Sequence, residues 1–291
     1  MPQPDLNALP DYIRELEALR QSRVLVLAAS HLDNELLPAL FDQCTQIGRT
    51  ARLDVVLHGR GGVVNAARRI ALLLRRHTEH LAFIVPFHCE SSATLLTLCA
   101  DEIIAGELAQ FSPIDPQLNG ADGSSFSGLD IQQFGAMAEK WFGLESEQAR
   151  AESLALLCQS VFPPSLTAFY RTTLELAQIG EELLAWQLPN QDKEFRRQLV
   201  AQLMSGYHSH NYALDGTDLE KLGLRVRRNP QVEQVAWQIS KLVQACVGGA
   251  LRNAPDEAYT DALFASRDAV MLRRKRPGGL GADWNTERAR S

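Results

Sequence analysis

LAFIVPFHCESSATLLTLCADEIIAGELAQFSPIDPQL, residues 81–118, is the stretch from which the fold can be read. Leu81 to Pro86 is a short apolar run closed by a proline, which predicts a buried strand. Phe87 to Glu90 reads as a turn. Ser91 to Ala100 is apolar and small, as a buried helix requires. Asp101 to Ala105 opens with two acids and returns to Ile103 and Ile104, a second short strand. A serine where a strand turns into a helix projects its hydroxyl from the loop. Behind it the helix start offers unpaired N–H groups suited to a developing oxyanion.

Upstream, LDVVLHGRGG (Leu53 to Gly62) predicts a strand ending in a glycine-rich turn, and VVNAARRIALLLRRH predicts an amphipathic helix. The order is strand, Gly turn, helix, strand, Ser turn, helix, strand. Both turns fall at strand C-termini, where open α/β sheets carry their sites.

These motifs in order, HGRGG, IVPFHCESSAT, ADEI and SPIDPQL, resemble the serine dehydrogenase proteinase family, relatives of signal peptide peptidase A and of the Clp protease subunit. The resemblance spans roughly Leu53 to Leu118. A weaker tail match covers HNYALDGTDLEKLGLRV, from His210 to Val226. It implies an α/β, ClpP/crotonase-like fold of stacked βαβ units with a helical C-terminal portion, and serine peptidase chemistry. Aligned on the family motif, Ser91 is the implied nucleophile, with Ser92 as the alternative. Gly62 and Ser92 are the implied oxyanion-hole donors. Two departures flank the reacting atom: Glu90 stands where the family has methionine, and Ala93 where it has glycine. Arg60 replaces the proline of the family's PGG.

The base is open at this level. The Clp-type histidine would fall near Asp115, where this chain has none. Signal peptide peptidase A and its soluble relatives use a Ser–Lys pair, and a lysine base must be neutral, hence buried in apolar surroundings. Of five lysines, Lys140 in AMAEKWF has the most apolar context and is favoured. Lys193 sits among polar residues. His88, His208 and His210 are alternative bases. Asp101 and Glu102 read as a structural helix-to-strand corner, and Asp115 as a residue that orders its loop.

The 291 residues are 45% hydrophobic, ample for a core, and a net charge of −6 argues against nucleic acid as a partner. The short basic pairs Arg68-Arg69 and Arg75-Arg76, and the run Arg273 to Arg276, read as solvated surface. Five cysteines without a CxxC fit reduced thiols in a cytoplasm. The N-terminus lacks a signal-peptide core, and no apolar run approaches the ~20 residues of a membrane span. A soluble, cytoplasmic protein is therefore expected. Neither HExxH nor GxGxxG occurs, so the expectation is no metal and no cofactor. A homo-oligomer is implied by the resemblance alone.

Residues 1–247 form the expected ClpP/crotonase-like domain. It includes a flexible Gly/Ser-rich loop at 119–128, able to cover the site, and a helical insertion at 130–204. Residues 248–291 lose periodicity and read as a flexible extension. The functional reading is a soluble ATP-independent Ser–Lys peptidase acting on peptide or protein. The rival is a catalytically silent interaction scaffold, favoured by Glu90, whose charge would hold a lysine protonated. A crotonase-type acyl-CoA hydratase or isomerase would leave the serine motif without a purpose.

Overall fold

The computed structural model describes residues 6–119, 125–143, 146–247, 259–275 and 283–288. The chain begins with alternating helices and strands: α1 (Leu9–Arg20), β1 (Arg23–Ala29), α2 (Leu36–Ile47), β2 (Thr50–Gly59), α3 (Val64–His77) and β3 (Thr78–Val85). A two-residue strand β4 (His88–Cys89) leads into the short α4 (Ser92–Thr97), then β5 (Glu102–Ala105) and β6 (Gln110–Phe111). A hairpin of β7 (Gln117–Asn119) and β8 (Ser125–Ser127) precedes the helices α5 (Gly128–Phe142), α6 (Glu147–Ser160), α7 (Pro163–Gln187) and α8 (Lys193–Ser205). The described chain closes with α9 (Gly216–Lys221), β9 (Val226–Arg227), α10 (Pro230–Cys246), β10 (Tyr259–Ala265), β11 (Ala269–Lys275) and β12 (Asp283–Arg288).

The main sheet runs β12-β11-β10-β1-β2-β3-β5-β9, with the segment β1 to β9 parallel. A right-hand neighbour for each parallel strand requires a crossover, and the intervening helices supply it. Parallel sheets are covered on both faces, and alternate residues here divide accordingly. Leu25, Leu27, Val55, Leu57, Phe83 and Val85 pack toward α2, α3, α4, α7 and α8. Val24, Val26, Val56, Ile84 and Ile104 pack toward α1 and α10, where Ile13, Leu16, Ile239 and Val243 meet them. The expected neighbours 53–57, 81–85 and 102–105 are adjacent parallel strands, so the Gly and Ser turns share one end of the sheet.

Two expectations change. The extension beyond 248 is not flexible where it is described: β10, β11 and β12 continue the sheet antiparallel from the edge of β1. Their alternation, Ala262, Leu263, Phe264, Ala265 buried together, lacks the period-2 pattern of a one-sided strand because both faces are covered. The basic pairs are also not simply solvated. Arg273 is fully buried, forked onto Asp33 (2.8 and 3.0 Å) and Asp261 (2.9 and 2.7 Å). Arg75 is buried too, bound to the Cys99 carbonyl at 2.7 Å and Asp101 at 2.6 Å, with Trp186 5.0 Å from its guanidinium. The acids of the ADEI motif take up such arginines: Glu102 accepts from Arg20 and Arg52. This agrees with a structural corner. Of the proposed loop at 119–128, residues 125–127 pair with β7, while 120–124 lie outside the described residues.

Candidate active site

The site is assembled at the C-terminal end of β2 and β3. Beyond β2 the chain enters positive φ at Gly61 (99°) and Gly62 (146°), conformations that favour glycine. Gly62 forms a parallel bridge with Leu32 in the loop after β1. Leu32 N–H donates to the Gly61 carbonyl at 2.8 Å, and Val63 N–H donates to the Leu32 carbonyl at 2.7 Å. In that pattern the N–H of Gly62 itself faces away from Leu32. A Cβ on Gly62 would stand 2.3 Å from the Leu32 carbonyl oxygen, so no side chain fits. On Gly61 it would stand 2.7 Å from Ser91 Cβ and 3.1 Å from Ser91 Oγ, so the glycine turn lies directly on the serine.

Ser91 adopts φ 54° and ψ −122°, a sparsely populated conformation for a residue with a side chain, costing on the order of 1–3 kcal/mol. Its neighbours hold it there. Ser91 N–H donates to Ser112 Oγ at 2.7 Å, and its carbonyl accepts from Leu95 N–H at 3.0 Å. Glu90 N–H donates to the Gly59 carbonyl at 2.9 Å, fastening the turn to β2. Thr94 Oγ1 donates to the Cys89 carbonyl at 2.6 Å. Ser91 is half-buried, while Ser92 is 3% exposed, so of the two serines Ser91 is the accessible one. Cys89 is fully buried, and burial pushes its thiol well above the ordinary range, followed by the negative charge of Glu90; it is no competing nucleophile.

A carboxylate–imidazole pair is linked to this turn through β6. β6 pairs with β4, and Phe111 exchanges backbone hydrogen bonds with Leu214 at 2.8 and 2.9 Å. Leu214 is thereby held against Phe111, whose neighbour Ser112 accepts from the Ser91 amide. Three residues past Ser112, Asp115 accepts a 2.8 Å hydrogen bond from His210 Nδ1. The other carboxylate oxygen accepts from Ser127 Oγ at 2.5 Å and Gln117 Nε2 at 2.6 Å. Burial pushes the Asp115 carboxyl up, but the hydrogen bonds from His210 and Ser127 and the charge of His210 outweigh it and hold it below the ordinary carboxylate range. With Nδ1 committed to Asp115, the Nε2 end of His210 is left for other chemistry, and the side chain is 24% exposed.

The remaining candidates are placed differently. His88 is engaged at both nitrogens: Nδ1 donates to Glu90 Oε1 at 2.7 Å, and Nε2 faces an Arg60 guanidinium nitrogen at 3.2 Å. His208 is exposed. Lys140 is exposed in the last turn of α5, not in the buried apolar setting that a neutral lysine needs. Lys193 is exposed 3.8 Å from Glu181. Sequence reasoning missed the role of Asp115 as the partner of His210, and that of Ser112. The one available signal was that SPIDPQ, like the serine motif, follows a strand of the same parallel set.

Comparison with known proteins agrees with this architecture. Residues 43–132 match the family model of the ClpP-like SDH-type serine proteinase, a segment that contains the Gly turn, Ser91 and Asp115. The parallel sheet and its helices are accordingly of the ClpP/crotonase type. The chain is 27% identical over 233 residues to the uncharacterized protein MJ1495 of Methanocaldococcus jannaschii, across 75% of this chain and 70% of that protein. It is 44% identical over 66 residues to the uncharacterized protein MJ0137 of the same organism, across 23% of each. Among the described residues, no helix is long and apolar enough to cross a membrane.

Proposed function

We propose that this SDH-type domain is a serine peptidase in which Ser91 is the nucleophile and His210, oriented by Asp115, is the general base. The observation that carries the reading is the 2.8 Å bond from His210 Nδ1 to a buried, charged Asp115, on segments joined through β6 and Ser112 to the turn that holds Ser91 at positive φ. A serine hydroxyl needs a base to remove its proton as it attacks a carbonyl carbon. His210 Nε2 would take that proton and return it to the departing amine, while Asp115 fixes the tautomer and stabilises the imidazolium. The N–H groups of Gly62 and Ser92 are the proposed donors to the oxyanion. Hydrolysis of the acyl-enzyme repeats the cycle with water as the nucleophile.

The base role moves from Lys140 to His210 because Lys140 is exposed at the end of α5, outside the buried apolar pocket that a lysine base requires. The same change weakens the scaffold reading. Its chief support was that Glu90 would keep a lysine protonated, but a histidine base removes the lysine from the argument, and Glu90 is bound to His88. A fluorophosphonate probe tests the proposal. Wild type should be labelled at Ser91 and Ser91→Ala should not. A folded wild-type protein that takes no label and hydrolyses no peptide would return the chain to the scaffold reading.

A further inference from the structure

We infer that Arg60 is a substrate-specificity residue that binds a carboxylate of the peptide beside the scissile bond. The inference rests on the peptidase reading above. Arg60 directly precedes Gly61, the residue whose backbone lies against Ser91 Cβ and Oγ. The Arg60 backbone is therefore one residue from the glycine that faces Ser91, and its side chain is exposed.

Its partner is an imidazole. Arg20, Arg52, Arg75 and Arg273, by contrast, each meet a carboxylate. Arg60 instead donates to His88 Nε2 at 3.2 Å, and among the described residues it forms no ion pair. The donor assignment is fixed by chemistry. A guanidinium only donates, so Nε2 accepts and the ring proton sits on Nδ1, directed at Glu90 Oε1 at 2.7 Å. His88 is wedged against Phe87 at 3.9 Å and His58 at 5.5 Å between ring centroids. The imidazole thus serves as a neutral bracket that aims the guanidinium and uses one of its five donors. Four remain for a planar anion, and a carboxylate is the group whose two oxygens match that fork. Glu90 Oε1 is bound to His88, so the imidazole stands between Glu90 and the guanidinium.

The carboxylate has two possible sources in a peptide, an Asp or Glu side chain or a free C-terminus. Matched fluorogenic peptides separate them: one set carries Asp, Asn or Lys at each position within three residues of the cleaved bond, the other a free or amidated C-terminus. Wild type should favour a carboxylate over its amide about 10–100-fold in kcat/KM in one of the two sets, the yield of a hydrogen-bonded charge pair. Arg60→Gln should bring that ratio close to one, Arg60→Lys should retain part of it, and Arg60→Glu should invert it toward lysine. Because each ratio is internal to one variant, a general loss of activity does not imitate the effect. A wild-type ratio near one in both sets, or a ratio unchanged in Arg60→Gln, overturns the assignment. Labelling of Ser91 without carboxylate preference removes only the role of Arg60. Absence of both label and hydrolysis removes the peptidase reading and this inference with it.

Discussion

His210 and Asp115 lie 95 residues apart in sequence and are joined by a 2.8 Å hydrogen bond that leaves the carboxylate buried. If this pair orients the base, His210→Ala and Asp115→Asn should each lower kcat by on the order of 10²–10⁴ with little change in KM. Asparagine at 115 keeps the shape but offers the imidazole the wrong hydrogen-bonding partner. Lys140→Ala should leave kcat within about twofold. Steady-state kinetics on one peptide decide between the bases, and a collapse in Lys140→Ala with unchanged His210→Ala would restore the Ser–Lys assignment.

Ser91 is held at φ 54° at a cost to the fold. Ser91→Gly should abolish hydrolysis yet raise the stability by about 1 kcal/mol, since glycine adopts that conformation freely. Ser91→Ala should abolish hydrolysis without that gain. Denaturant melts of both variants provide the comparison; equal stability would mean that the turn stores no strain.

The two glycines should differ sharply. Gly62→Ala places a methyl on the Leu32 backbone, so loss of soluble protein or a drop of several kcal/mol is expected, measured by thermal unfolding. Gly61→Ala presses instead on the Ser91 side chain. It should fold with a modest loss and fail to take a fluorophosphonate label.

Acid should destabilise the protein through three carboxyls. Burial raises Asp33 and Glu102, but the hydrogen bonds and charge of Arg273, with Lys275, outweigh it at Asp33, and those of Arg20, with the charges of Arg52 and His80, at Glu102. Asp115 is lowered likewise. Below the ordinary carboxylate range the unfolded chain binds more protons than the folded one. Stability from these groups is complete above that range and disappears as pH falls through their depressed values. Urea midpoints measured from pH 7 to pH 3 should fall with acid, and Asp33→Asn should flatten the decline.

Arg273→Met should cost on the order of 3 kcal/mol, because it leaves Asp33 and Asp261 with Lys275 as their shared cationic partner. It should also lower peptidase activity, since Asp33 sits next to Leu32, on which Gly62 is bridged. Unfolding free energy and kcat measured on the same preparation check both effects.

The parallel core was legible because its pattern is local: apolar runs of strand length, closed by Gly, Pro or Ser turns, alternate with amphipathic helices, and β1 follows residues 23–29 as expected. Ser91 was legible for the same reason, through its neighbours in the motif. The histidine–aspartate pair was not, because it depends on a long-range meeting of β6 with the 210–214 segment, and no local period records such a meeting. Lys140 misled for a physical reason: AMAEKWF looks apolar in sequence, but Trp141 and Phe142 are 77% and 68% exposed, so apolar neighbours did not mean a buried amine. The last strands were hidden by a basic run in which Arg273 is paired inside, where composition alone suggested a solvated tail.

The bond between Arg273 and Asp33, 240 residues apart, has a consequence in time. A ribosome adding 5–20 residues per second needs about 10–50 s to travel from one partner to the other. During that interval β1 has an open edge where β10 will pair, and the loop carrying Leu32 lacks its anchor. The loop that carries Leu32, against which the glycine turn is bridged, therefore gains its full support only after residue 273 has been made and has paired.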